Sequence, residues 1–293
     1  MSKDQFSIHN FLLQKMDGGI SIPPLPDAVA YIHRKHGTKE PVKFIESTVY
    51  RDPMVALAVL KAANDDIFQG LTEIDSISGA INRLGFETVE EVVVKTLEES
   101  KAHLPKSGKN LDFFKKFWSH AIATSLCAGK IAQVVHYRDD KLVRIGGLLH
   151  DIGTLYIHEA MLELKKKHLN LTKNPKVTFK VNDNLIHELA YEFHTTLGEK
   201  LLSSMNITGK LSEIVALHHA SNDIIAEKPH VQIVALANYI CYSIEIVPEH
   251  AEKVRVETDD FADALGISTI KIAALEEEVI SLQKEIDIVL SSK

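Results

Sequence analysis

Residues Phe113 to Val135 are apolar on almost every side of a helix. Phe114, Trp118, Ala121 and Ser125 fall on one face, and Phe113, Phe117, Thr124 and Ile131 on another. A helix without a polar face belongs at the centre of a bundle, since any exposed side would hold apolar surface in water. Helical periodicity also dominates the rest of the chain, and few stretches alternate as a strand would. The expected fold class is therefore all-α: a multi-helix bundle with a smaller N-terminal helical lobe.

Local signals divide the chain. Ile22-Pro23-Pro24-Leu25-Pro26 is a rigid entry segment, because each proline fixes φ and removes a donor. Asp27 stands at an N-cap position before a helix over Ala28 to His36. Pro41 starts another helix near Val42 to Tyr50. Asp52 then caps a third, with Pro53 at its first position, running to about Asn64. Short helices follow among Gly70, Gly79 and Gly85, and Val89 to Ser100 is helical. Pro105 to Asn110 is the best linker candidate. Further helices are predicted near 139–159, 183–204, 209–220 and 229–246, with a polar loop, broken by Pro175, at 172–182. The resulting divisions are an N-terminal extension (1–19), an N-terminal helical lobe (20–105), a larger helical lobe (111–246) and a C-terminal segment (247–293).

Composition narrows the function. With 293 residues, 45% of them apolar, the chain can bury a substantial core. The formal net charge is −7, and the densest basic run, Lys165-Lys166-Lys167, reads as a solvated helix end. Nucleic acid is not an expected partner, because a phosphate-backbone binder carries a basic face. Cys127 and Cys241 lie inside apolar helical patterns and read as buried thiols in a reducing compartment. No apolar run approaches the roughly 20 residues that span a bilayer, and the N-terminus lacks a signal-peptide layout. The cytoplasm is the expected location, with no membrane partner.

Polar groups recur on the apolar stripes. His120 sits mid-helix among Phe117, Ala121 and Thr124, and His150-Asp151 follows Ile145-Gly146-Gly147-Leu148-Leu149. His194 shares a stripe with Ala190, Leu197 and Leu201. His218, with His219 beside it, shares one with Leu211, Ile214 and Val215, and Asn238 one with Val231, Val234 and Cys241. A single buried histidine is most simply a hydrogen-bonded core residue. Several imidazoles with one carboxylate in a helical bundle make the ligand set of a transition-metal site. Asp151 could also bridge two metals, which would then activate water and clamp a phosphate. His120, His150, Asp151, His194, His218 and His219 are expected to face one cavity. His219 fits least well, turned about 100° from His218 on a helix.

The motifs resemble a known family. Leu148-Leu149-His150-Asp151-Ile152-Gly153 resembles the signature of HD-superfamily phosphohydrolases, and His120 matches the first histidine of that fold. His194 with Gly198, then His218-His219, are similar to the additional histidines of the HD-GYP phosphodiesterases. Ile22 to Pro26, Ile45 with Asp52-Pro53, Leu60 to Asn64, Ala80 to Gly85 and Phe117-Trp118 resemble successive landmarks of the HDOD family. The resemblance covers roughly residues 20–245. It implies metal ligands at His120, His150, Asp151, His194, His218, His219 and Asn238, holding one or two divalent transition metals (Fe, Mn, Zn or Ni) or none.

Three positions depart from an active HD site. Asn238 stands where the last aspartate would be, Thr154 where HD-GYP enzymes carry a lysine, and Ala220-Ser221-Asn222-Asp223 where the GYP loop would continue. The resemblance therefore implies a signal-transduction module with a degenerate site, binding protein partners or a nucleotide-like ligand. The alternative is a metal-dependent phosphohydrolase acting on a nucleotide or phosphoester, with Asp151 as the residue that carries turnover. At the C-terminus, Ile272, Leu275, Val279, Leu282, Ile286 and Val289 form a heptad seam. It is open to two uses: folding back on its own chain, or homodimer formation through 272–289.

Overall fold

The computed structural model describes residues 8–16, 41–68, 71–101, 108–166, 181–247 and 258–291, and among them the regular structure is helical throughout. The proline-rich entry, the helix expected over Ala28–His36, half of the linker and most of the loop at 172–182 lie outside the described residues. After α1 (Ile8–Met16), which packs on the back of the molecule, the front comprises α2 (Pro41–Val49), α3 (Pro53–Ala63), α4 (Ile77–Leu84) and α5 (Phe86–Lys101). Helix α3 begins as its sequence dictates. Asp52 accepts from the amides of Met54 (2.8 Å) and Val55 (3.1 Å), with Pro53 at the first position. At its far end Asn64 donates to the carbonyls of Leu60 (3.0 Å) and Ile74 (2.8 Å) and accepts from Ile74 N (2.9 Å). That one amide closes the helix and anchors the following loop.

The remaining helices are α6 (Lys109–Val134), α7 (Asp140–Leu149), α8 (Ile152–Lys166), α9 (Asp183–Ser203), α10 (Lys210–Leu217), α11 (Asn222–Ile225), α12 (Pro229–Ser243), α13 (Thr258–Ala264) and α14 (Thr269–Ser291). Helix α6 is the central rod that its sequence predicts, with Phe113, Phe114, Phe117 and Trp118 all buried and α7, α12 and α14 packed around it. The single helix expected over 139–159 is instead two, broken at His150-Asp151. The halves pack on different partners, α7 on α6 and α8 on α9, which one straight rod could not do. Gly147 lets α7 press onto α6, since a Cβ there would lie 2.9 Å from Ser125 Cα. Gly153 does the same for α8: a Cβ there would collide with the His194 carbonyl of α9.

Front and back helices share one apolar core, running from Ile45 and Val59 through Val93 to Phe117 and Leu148. Polar contacts reinforce the junction. The Arg144 guanidinium lies 4.2 Å from the centre of the Tyr50 ring. Glu73 accepts from the amides of Thr208 (2.8 Å) and Gly209 (3.0 Å). A second, smaller core joins α1 to α8 and α9 through Leu12, Ile157, Met161 and Leu197.

The C-terminal seam folds back on its own chain. Leu275, Val279 and Ile286 are buried, with α14 lying against α6 and α12. Each such aliphatic side chain contributes roughly 1.5–3 kcal/mol. Ser243 Oγ donates to Glu276 (2.7 Å), Lys130 pairs with Glu278 (3.0 Å), and Gln283 donates to Ser119 Oγ. No described helix is long and apolar enough to cross a membrane.

Candidate metal centre

The break between α7 and α8 creates the site. His150 and Asp151 occupy the turn rather than a helix, so two consecutive residues can face the same way. Helix α10 likewise ends at Leu217, which places His218 and His219 just past it. The 100° rotation expected of neighbours on a helix therefore does not separate them. His120 comes from the middle of α6 and His194 from α9, where Gly153 and Gly198 bring the backbones together.

Asp151 is the hub. Its Oδ2 lies 3.5 Å from His150 Nε2 and 3.8 Å from His120 Nε2. Its Oδ1 lies 3.4 Å from His218 Nε2 and 3.5 Å from His194 Nε2. The two imidazole pairs thus face opposite oxygens of one carboxylate. Across the first pair, His120 Nε2 and His150 Nε2 are 3.1 Å apart. The His219 ring stands 4.2 Å from that of His218 and 5.1 Å from that of His194, between centroids. Two potential ligand groups result: His120, His150 and Asp151, and Asp151, His194, His218 and His219.

The other ring nitrogens fix the tautomers. Nδ1 donates to Ile246 O in His120 (2.7 Å), Gly147 O in His150 (2.8 Å), Ala190 O in His194 (2.7 Å) and Val215 O in His218 (3.0 Å). A carbonyl can only accept, so each Nδ1 carries the proton and each neutral ring turns a bare Nε2 lone pair inward. This is the second-sphere arrangement that orients metal-bound histidines.

Four inward lone pairs around a carboxylate repel one another unless positive charge sits among them. Protons are poorly suited to supply it. Burial, then the neighbouring His150, pushes His120 down to about 4, and burial likewise pushes His218 to about 4. Burial and the neighbouring rings hold His219 well below its ordinary value. Burial works to raise the Asp151 carboxyl, but His150, His218 and His194 outweigh it and keep it well below the usual carboxylate range. The Nε2 atoms of His194 and His218 are fully buried without a hydrogen-bond partner, a condition that costs about 1–3 kcal/mol per group. Ligands about 2.0–2.2 Å from a shared ion stand roughly 3.3 Å apart, which matches the spacings around Asp151. The residues present therefore fit a transition-metal ion.

Asn238 is fully buried on α12, and neither atom of its amide has a hydrogen-bond partner. It precedes Tyr242 by one helical turn, and the Tyr242 ring meets His120 edge-on at 5.7 Å. Thr154 is buried in the first turn of α8, its amide bonded to Asp151 O at 2.9 Å. Sequence gives no signal for Tyr242 or for the Ile246 carbonyl, since both meet His120 only through tertiary packing.

Comparison with known proteins agrees with this architecture. No curated protein is similar to the chain in sequence. The solved structure of the MmoQ response regulator from Methylococcus capsulatus is similar, with a TM-score of 0.67 at 18% identity, covering 88% of this chain and 98% of that one. A virulence factor from Campylobacter jejuni superposes with a TM-score of 0.58 at 15% identity, covering 98% of this chain and 99% of that one. The model of the HDOD domain matches residues 22–221. With that match across most of its length, the HD-type histidines around Asp151 and the helical lobe in front of them, the chain belongs to the HDOD family.

Proposed function

We propose that this chain is a signal-transduction module whose HD-type site holds metal without turning over a substrate, and that it acts by binding protein partners or a small ligand. One observation carries the reading. His120, His150, Asp151, His194, His218 and His219 stand together, while the positions that would add charge or a proton donor beside them hold Asn238 and Thr154. A metal bound here would join α6, the α7–α8 turn, α9 and the end of α10, so that its binding energy becomes folding energy. His120, His150, His194 and His218 would ligate through Nε2, Asp151 through its carboxylate, His219 from the more exposed side, with Asn238 as a neutral candidate ligand. The likeness to a response regulator is in keeping with a signalling role.

A second reading, a metal-dependent phosphohydrolase, is favoured by the opposed oxygens of Asp151, each facing its own imidazole pair. That is how a carboxylate would bridge two ions, and a two-metal site supplies an activated water and a clamp for phosphate.

Elemental analysis of the purified protein, with assay of bis(p-nitrophenyl) phosphate under added Mn²⁺ or Fe²⁺, separates the two. The signalling reading expects bound metal that is lost in His150→Ala and no turnover above the metal-only blank. Robust hydrolysis that disappears in His150→Ala would establish the enzyme instead.

A further inference from the structure

A cavity of about 510 Å³ lies away from the metal cage, lined by residues that include His136, Tyr137, Arg138, Lys210, Gln232 and Leu265. We propose that it binds a small phosphorylated ligand of nucleoside monophosphate size, through Arg138 and Lys210 for the phosphate and Gln232 for a donor on the rest of the molecule.

The volume lies within the roughly 300–1,000 Å³ of ligand pockets. Arg138 and Lys210 bring fixed positive charge. Asp139 is the acidic residue in the lining, and its carboxylate is engaged with the Leu142 amide at 3.2 Å as the cap of α7. Three helices start around the cavity. Asp139 caps α7, Glu73 covers the amides before α10, and α12 opens with Pro229, its Val231 amide bonded to Lys228 O at 2.9 Å.

Gln232 is the independent observation. It is only 4% exposed, yet it lines the cavity. Its Nε2 donates to Asn222 Oδ1 at 2.9 Å, which fixes the amide and commits its nitrogen. The carboxamide oxygen makes no hydrogen bond among the described residues. An acceptor held in one orientation at the cavity wall suits an N–H or O–H of a ligand, a group that inorganic phosphate lacks at that distance.

His136 points the same way. It occupies the left-handed region with φ 54°, after the end of α6, where glycine is favoured. Asn206 holds the same conformation after α9 with φ 59°, and its side chain bonds Asn64 O (3.0 Å) and Asp66 Oδ1 (2.8 Å). The His136 side chain makes no hydrogen bond to a described residue, and it lines the cavity.

The site is distinct from the metal cage and does not depend on it. The cavity touches the N-terminal ends of α7 and α10, whose C-terminal ends lead into His150 and His218. With 10 and 8 residues in these helices, the two sites stand about 12–15 Å apart at ~1.5 Å per residue.

Isothermal titration of the full chain with AMP, as purified and again after EDTA treatment that leaves its circular dichroism unchanged, tests the proposal without a contribution from the cage. Saturable binding is expected, weakened at least about tenfold by Arg138→Glu or Lys210→Glu, the fold being checked by circular dichroism; about tenfold is 1.4 kcal/mol of binding energy. Gln232→Asn, which shortens the side chain with its chemistry kept, should weaken AMP more than inorganic phosphate. Absence of saturable AMP binding at millimolar concentration overturns the proposal. So does binding that neither charge reversal moves, since the ligand then lies elsewhere. Neither result bears on metal content, so the cage can stand or fall separately.

Discussion

The front and back of the molecule bury polar side chains in different ways. In the front helices, Asp52 and Asn64 are almost wholly buried, and each meets backbone partners at 2.8–3.1 Å. In the back helices, His194 and His218 keep a buried Nε2 without a partner, and Asn238 keeps both amide atoms so. Burial alone therefore does not mark a functional residue. A polar group that completes the backbone is architectural, whereas one satisfied at Nδ1 and bare at Nε2 is prepared for something outside the chain.

Mutations can break that comparison. The largest effect is expected in the front, where Asn64→Leu removes three hydrogen bonds and strands the Ile74 amide and carbonyl. A loss of about 2–4 kcal/mol in urea unfolding is expected, at about 1 kcal/mol or more per buried group. A change below 0.5 kcal/mol would mean that the Asn64 contacts are incidental.

Acid should act mainly on the back. The folded-state values of His120 and His218 lie near 4, below the ordinary 6.5, so the unfolded chain binds more protons between these pH values. Stability of the metal-free protein should be fully present above about pH 6.5 and fall as pH drops toward 4, with no further loss from these two groups below that. Thermal melts of EDTA-treated protein at stepped pH read this directly. A flat melting temperature across the window would show that these rings take up protons alike in the folded and unfolded chain, against the depressed values.

Asp52→Ala should cost about 1–2 kcal/mol at neutral pH, the usual worth of an N-cap, at every metal concentration. The smallest effect on metal-free stability is expected for His194→Leu, within about 1 kcal/mol of the parent or more stable, because it relieves an inward lone pair. The same change should sharply weaken Mn²⁺ or Zn²⁺ binding in a competition assay. Loss of several kcal/mol without metal would place His194 with Asp52 and Asn64 as an architectural residue.

Sequence made much of this legible, and what it missed has a common cause. The central helix, the capped start of α3 and the apolar stripes carrying His120, His194 and His218 depend on periodicity and local capping, which are written in consecutive residues. The break at His150-Asp151 was hidden because Ile145 to Ile157 keeps a helical pattern across it. Only the choice of partners, α6 for one half and α9 for the other, requires the turn. His219 fits poorly as long as it is placed on a helix, and joins the cage because α10 ends two residues earlier. The Ile246 carbonyl that orients His120 comes from 126 positions away, and a backbone oxygen carries no mark in the sequence. The C-terminal heptad was legible as a seam but not as to its owner, since α6 offers it the same kind of surface that a second copy would.

The close approach at Gly153 changes what the His-Asp-Ile-Gly signature can tell a reader of genomes. The glycine is there because the His194 carbonyl of α9 occupies the space that any side chain would need, so it records how two helices meet. A lineage that abandoned chemistry but kept the bundle would be held to the same letter by sterics alone. Presence of the signature is thus a statement about ancestry and shape. Information about present-day activity must be sought at positions that would supply charge or a proton rather than shape, such as Thr154 and Asn238.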